Sequence, residues 1–319
     1  MSNQKPTLDN LREMQAWPLE RKVAHAIDVI STFVNRRGGL DKVYISCSFG
    51  KDSLVLLDIA KRVYPDILAV FCNTGMEHPS VIKMANSDKS KGGNLKIIRP
   101  TMKVKEVFAN YGFPLVSKES SFKIHYIRLN PNSASSQKWL SPLKSDGKQN
   151  KFMLPYRWRW LLDTRYDCHN KCCTFLKKEP FKHFEKTTGR SPILGMMATE
   201  SQQRKGIWVK NGGCNAFDNK RQSSWPLAIF TEADIWAYIK KFNIQIPEIY
   251  YQGASRSGCV CCGYGIHNDD DNRLEMLYNN YPKLYEMFMN YENNGITYRT
   301  ALRDVLATVG KFLPDETPR

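Results

Sequence analysis

The sequence predicts an α/β fold: a doubly wound, mostly parallel sheet with helices on both faces, then a cysteine-rich loop and a helical tail. Three observations carry this. Short apolar or β-branched runs at 43–47, 67–71, 95–98 and 192–197 read as buried strands. Stretches of helical periodicity alternate with them, the spacing of βαβ units. Three of the runs end in polar, turn-rich segments, SFGKDS, NTGMEHP and ATESQQR, and a doubly wound sheet binds ligands at the C-terminal ends of its strands.

In chain order, Val23, Ala26, Ile27, Ile30 and Phe33 share one helical face, and that helix should stop at Arg36-Arg37-Gly38-Gly39. After the first strand, Leu54, Leu57 and Ala60 recur at helical spacing through residue 63. A third helix is expected from about Pro79, after the second strand. Residues 128–150, rich in Ser, Asn and Lys, read as a mobile insertion. Thr231-Glu232-Ala233-Asp234 reads as a capping box that opens a helix through about Lys241. The expected domains are an N-terminal helical segment (1–40), a ligand-binding α/β domain (41–255), and a cysteine-rich loop with C-terminal helices (256–319) packed on that domain.

Composition bounds the rest. The 319 residues are 42% apolar, and no run of eighteen apolar residues and no signal peptide is visible, so a cytoplasmic protein with no membrane partner is expected. Nine cysteines in a reducing compartment point to metal binding or catalysis rather than disulfides. A formal charge of +16 suggests a polyanionic partner. YRWRW at 156–160 offers either stacking faces for nucleic acid or a half-buried amphipathic stretch.

The turn VYISCSFGKDS has the layout of strand, phosphate loop and helix N-terminus. Unpaired N–H groups, the helix dipole and Lys51 together favour an anion there. Ser46, Ser48, Phe49, Gly50, Lys51, Asp52 and Ser53 are its candidate phosphate-holding residues; Asn73, Thr74, Gly75 and Glu77 are candidates to contact a nucleotide or Mg²⁺, and Glu200, Ser201 and Arg204 complete the set, with Arg204 as a fork-shaped phosphate donor. An ordinary βα turn with Ser53 as cap is the alternative for the loop alone.

SFGKDS resembles the PP-loop, SGGKDS, of ATP pyrophosphatases. NTGMEHP, CCTFLKKEPF and GMMATES-x-x-R are similar, in that order, to motifs of the phosphoadenosine phosphosulfate (PAPS) reductase family, with Met197 where Arg is common. The resemblance spans about residues 40–265 and implies an adenine nucleotide as ligand. Cys172-Cys173 and Cys259-x-x-Cys262 are similar to the set that holds a [4Fe-4S] cluster in family members that bind one; four thiolates also suit zinc, the second choice. Cys47 and Cys72 read as core. Cys214, in the polar NGGCNAFD loop, is either a nucleophile or sulfur carrier or an incidental thiol, and Cys168 and Cys261 share that ambiguity. His169 and His267 flank the clusters as solvated loop residues or supporting ligands.

Within the family the resemblance implies two chemistries. Reductases attack the sulfur of a sulfonucleotide with a C-terminal cysteine; this sequence has none after Cys262. Other PP-loop proteins cleave ATP to AMP and pyrophosphate while activating an acceptor. Because Lys51-Asp52 is intact, the expectation is an ATP- and Mg²⁺-dependent sulfur-transfer enzyme with Lys51, Asp52 and Cys214 as catalytic residues. Its acceptor would be nucleic acid, as in DNA phosphorothioation or tRNA thiolation, and its sulfur donor an enzyme such as a cysteine desulfurase. A PAPS or adenylylsulfate reductase is the alternative, and a non-catalytic nucleotide- or nucleic-acid-binding module the third.

Overall fold

The computed structural model describes residues 5–316. The chain forms two compact units. The first comprises Met1–Asn73 (described from Lys5), His78–Arg99 and Phe181–Ser257; the second comprises Thr74–Glu77, Pro100–Pro180 and Gly258–Arg319 (described to Glu316).

The first unit is built on a six-stranded sheet. Its order is Leu95–Ile98, Ala69–Cys72, Val43–Ser46, Ser191–Leu194, Ser223–Ser224, Asn215–Ala216. All pairings are parallel except the last, where Asn215 faces Ser224. Val43–Ser46 sits centrally, with Ile45 in register with Ala69 on one side and Ile193 on the other. Strand order reverses there, so the loops after Val43–Ser46 and Ser191–Leu194 open a crevice at the strand ends.

Side-chain alternation assigns the faces. Tyr44 and Val70 point toward Phe184 and Phe181, with Tyr44 edge-on to Phe184 at 5.1 Å. Ile45 points the other way and is fully buried, and the helices Leu19–Arg37, Lys51–Val63 and Glu232–Phe242 pack on one another. Leu19–Arg37 ends as its Gly-Gly predicts: Gly38 is left-handed (φ 92°), and the Gly39 N–H closes on the Val34 carbonyl. Thr231 caps Glu232–Phe242 with the expected box, accepting from the Asp234 N–H while the Asp234 carboxylate accepts from Thr231.

The second unit has its own core, in which Phe108, Phe113 and Tyr298 meet with centroids 5.0–5.6 Å apart. A two-stranded parallel pair, Leu115–Val116 with Gly263–Tyr264, fastens the cysteine-rich loop to that core.

Three expectations change. The segment 1–40 holds two helices, Leu8–Gln15 and Leu19–Arg37. Residues 100–180 group with 258–319, not with the sheet, so the expected 41–255 domain does not stand as one unit; their apolar residues share a core with the C-terminal helices. The segment 128–150 contains a helix, Ala134–Leu140, and its following turn is held by the buried Asn150, whose amide donates to the Lys138 and Ser141 carbonyls. A polar composition hid an internally hydrogen-bonded turn.

Candidate functional site

In the first unit the PP-loop connects Val43–Ser46 to the helix Lys51–Val63, which starts three residues before Leu54, the first residue of the apolar spacing. Ser48 Oγ accepts from the Gly50 N–H (3.3 Å) and lies 3.2 Å from Ser53 Oγ, while the Ser53 hydroxyl donates to the Gly50 carbonyl (2.9 Å). These bonds curl the loop without using the Lys51 N–H. Phe49 stands where the PP-loop pattern has Gly; it takes a left-handed φ of 55°, and its buried ring meets Phe71 edge-on at 5.4 Å.

Lys51 is buried along its stem, and its ammonium lies 3.1 Å from Asp52 and 3.4 Å from Glu232. Burial acts to lower its pKa, but the two carboxylates outweigh this and raise it, so Lys51 stays a full cation. Trp236 stands 6.0 Å from the ammonium. The backbone N–H of Lys51, the donor that should receive a phosphate, donates instead to the hydroxyl of Tyr250 (3.0 Å), which also accepts from the Ser257 N–H (3.3 Å). A β-carbon at Gly50 would collide with Ser257 Oγ. The glycine is therefore needed for close approach, and the approaching groups are Tyr250 and Ser257.

The third motif meets the same loop. Gly195, just past Ser191–Leu194, lies so close that a β-carbon would stand 3.2 Å from the Asp52 carbonyl oxygen and 3.3 Å from Ser53 Cα. Glu200 accepts from the Met197 N–H (2.9 Å) and pairs with Arg204, and Ser201 caps the helix Gln202–Lys210. Burial lowers the pKa of Arg204, opposed by the charge of Asp52, which places a second cation within electrostatic reach of the loop. Ser46, Ser48, Gly50 to Ser53, Glu200, Ser201 and Arg204 thus belong to one unit, with Asn73. Thr74, Gly75 and Glu77 belong to the other, where the Glu77 carboxylate accepts from the Thr74 N–H (2.8 Å) and hydroxyl (2.7 Å), so it orders its own turn. Sequence reasoning missed Tyr250, Ser257, Glu232 and Trp236. Only Glu232 carried a signal, as part of a capping box.

The second unit gathers the cysteines. Cys172 and Cys173 end a short helical turn that runs into a π-helical turn, Thr174–Lys178. The charges of Lys177, at the end of that turn, and of Lys118 act on the Cys173 thiol. Cys173 is lowered to about 6, first by the hydrogen bond from Cys172 and then by these lysines; Cys172 is pushed up by giving that bond, by burial and by the charges of Cys173, Cys262 and Cys259. Burial pushes Cys262 up to about 11, with Cys259 adding to it, and Cys259 in turn raises Lys177. The four expected thiols therefore share one electrostatic neighbourhood beside two ammonium groups. Among the described residues no three His, Cys, Asp or Glu side chains stand at metal-ligand spacing. The donor chemistry fits a thiophilic group; the thiols are gathered rather than aimed.

The remaining cysteines resolve differently. Cys261 is buried, its carbonyl accepting from the Tyr298 hydroxyl (2.9 Å). Cys168 is buried with its Sγ 3.1 Å from Ser121 Oγ, and burial pushes it to about 11. Cys214, expected in a flexible loop, is also buried, beneath the Trp208 indole N–H (3.4 Å) and 3.8 Å from His25 Nε2; burial pushes its thiol to about 11. Its neighbours are fixed by the pairing of Asn215–Ala216 with Ser223–Ser224, which the sequence did not reveal. Cys47 and Cys72 are buried as expected. His169 accepts from the Lys171 N–H through Nδ1 (3.0 Å), whereas His267 packs against Trp158 at 5.1 Å.

A profile of the "Phosphoadenosine phosphosulfate reductase domain" matches residues 42–131 and 137–264. The chain belongs to that family. Relatives include "Adenosine 5'-phosphosulfate reductase" from Geobacillus kaustophilus, 24% identical over 82% of this chain and 88% of the relative. "Adenosine 5'-phosphosulfate reductase 2" from Bacillus subtilis is 22% identical, covering 85% and 92%. Among solved structures, a phosphoadenylyl-sulfate (PAPS) reductase from Candida auris in a phosphate complex aligns over 81% of this chain and 98% of that chain, with TM-score 0.43 and 13% identity. Membership accounts for the order of the motifs, and the family lies within the PP-loop superfamily. Among the described residues no helix is long and apolar enough to cross a membrane.

Proposed function

We propose that this chain is an enzyme acting on an adenine sulfonucleotide, adenosine 5'-phosphosulfate or its 3'-phosphorylated form, and releasing sulfite. This replaces ATP-dependent sulfur transfer as the leading reading. The observation that carries it is the near full-length similarity to adenosine 5'-phosphosulfate reductases, over 82% of this chain. Lys51 and Arg204 supply two cations for the phosphosulfate, and the Lys51 N–H a backbone donor once the Tyr250 hydroxyl releases it. In the reaction a thiolate sulfur attacks the sulfonate sulfur, an S–S bond forms, and the S–O bond breaks with its electron pair leaving on the nucleotide phosphate. Where that thiolate belongs to a dithiol of the thioredoxin class, its second thiol then attacks the sulfur of the first, sulfite leaves with the electron pair of the S–S bond, and the dithiol is oxidised to a disulfide.

Neither Cys214 nor Cys168 suits the attack as folded, since both are buried with thiols pushed to about 11. The reading therefore assigns the attacking thiol to the reductant. Cys172, Cys173, Cys259 and Cys262 would hold an iron–sulfur cluster, or zinc in its place. A cluster bound there would supply redox capacity, and zinc would not. Incubation with either sulfonucleotide and a dithiol should yield sulfite and the adenine nucleotide in equal amounts. Absence of sulfite with both would overturn the reading.

One observation favours a second reading, ATP cleavage to AMP and pyrophosphate. The Lys51–Asp52 pair is intact and suits charge on departing pyrophosphate, and that step needs no cysteine. Release of pyrophosphate from ATP and Mg²⁺, with no sulfite from sulfonucleotides, would select it.

A further inference from the structure

Residues 118–165, in the second unit, carry ten Lys and Arg against three Asp and Glu. The excess is local, because residues 258–319 carry six against nine. The tryptophans of YRWRW do not form stacking faces there: Trp158 is buried and Trp160 half-buried. Other rings are exposed instead, Phe152 at 63%, Tyr156 at 61% and Phe122 at 42%. Lys144, Lys148 and Lys151 are exposed beside Phe152 in the chain.

These groups are held in place. The buried Asn150 ties the lysine-bearing turn to Lys138 and Ser141 and accepts from the Phe152 N–H (3.1 Å), and the buried Lys123 ammonium donates to the Phe152 carbonyl. Phe122, next to Lys123, meets Trp139 edge-on at 5.9 Å. The Arg159 guanidinium lies 4.0 Å from the centroid of Tyr156 and donates to the Leu140 carbonyl (2.6 Å), fixing that ring. Rigid, solvent-facing aromatic planes bordered by lysines match a polyanion whose bases are free to stack.

From this we infer that the exposed stretch 144–156, with Phe152, Tyr156, Lys144, Lys148 and Lys151, binds single-stranded nucleic acid. Bases stack on the rings, and the lysines contact phosphates. A duplex keeps its bases stacked internally and would use only the lysines.

The test is anisotropy of a labelled single-stranded oligonucleotide of about 20 nucleotides, the matching duplex, and anionic vesicles, each against salt. The single strand should bind more tightly than the duplex. Neutralising Lys144→Gln, Lys148→Gln and Lys151→Gln together should reduce the slope of log affinity on log salt by about 2. Phe152→Ala or Tyr156→Ala should weaken binding roughly 5- to 150-fold at unchanged slope, and Phe152→Trp should retain it. Thermal melts matching the wild type separate lost binding from lost folding. Equal or tighter duplex binding, aromatic variants that bind like wild type, or vesicle binding that falls with the same substitutions would overturn the inference. The test is independent of the sulfite assay.

Discussion

Tyr250→Phe removes one oxygen from a position where a phosphate oxygen is expected. In the wild type that hydroxyl accepts from Lys51 N–H at 3.0 Å and Ser257 N–H at 3.3 Å. Lys51 is buried, so its freed amide is poorly reached by water; Ser257 is half-buried, and its amide is better hydrated. Leaving one buried donor unpaired costs about 1–3 kcal/mol, so the ligand-free variant should be destabilised by that amount. For a folding unit of this size each 1 kcal/mol shifts the melting temperature by about 2–4 °C. A bound phosphate would take the same amide. The penalty then disappears in the complex, and nucleotide affinity should rise roughly 5- to 150-fold. Calorimetric titration with adenosine 5'-phosphosulfate and AMP, beside thermal melts with and without ligand, reads both effects. The signature is a lower melting point without ligand and a larger ligand-induced upshift. Loss of stability with unchanged or weaker affinity would refute the idea that the hydroxyl occupies the phosphate position.

Phe49 sets two terms against each other: its left-handed backbone costs about 1–2 kcal/mol, while deleting its buried ring costs about 3–5 kcal/mol. Stability in denaturant titrations should fall in the order wild type, Phe49→Gly, Phe49→Ala, because alanine loses the ring and keeps the strain. Cys173→Ser and Cys262→Ser should each lower the iron or zinc content of anaerobically purified protein, measured by elemental analysis, whereas Cys261→Ser should leave metal content near wild type and reduce stability, since Cys261 faces the core. Burial lowers His169 to about 4, with the charges of His125 and Lys171 adding to it. The unfolded chain therefore binds the extra proton first, so the stability linked to His169 is complete above about pH 6.5 and is lost as pH falls toward 4, by at most about 3 kcal/mol. His169→Gln should flatten that part of the stability profile, as measured by denaturant midpoints from pH 7 to pH 4.

Much of the nucleotide loop was legible because its signals are local. Ser48, Gly50 and Ser53 bond within five residues of one another, and a strand-to-helix change of period needs no distant partner. The same holds for Thr231 and Asp234 at their helix start and for the Gly-Gly stop at Gly38. The cysteine pairs were legible as thiol-rich segments, although the ambiguity of Cys168, Cys214 and Cys261 could be settled only by seeing which thiols enter a core.

What the sequence by itself determined is the order of strand, loop and helix, the residue types at the strand ends, and membership of a family, since all of these reside in short contiguous stretches. The tertiary structure alone decided that residues 100–180 join the C-terminal helices, that Cys214 is buried beside His25, and that Tyr250, Glu232 and Ser257 stand at the PP-loop. The physical reason is separation along the chain. Burial, charge pairing and occupancy of a backbone donor depend on groups some 180 to 210 residues apart, and only packing brings those into reach.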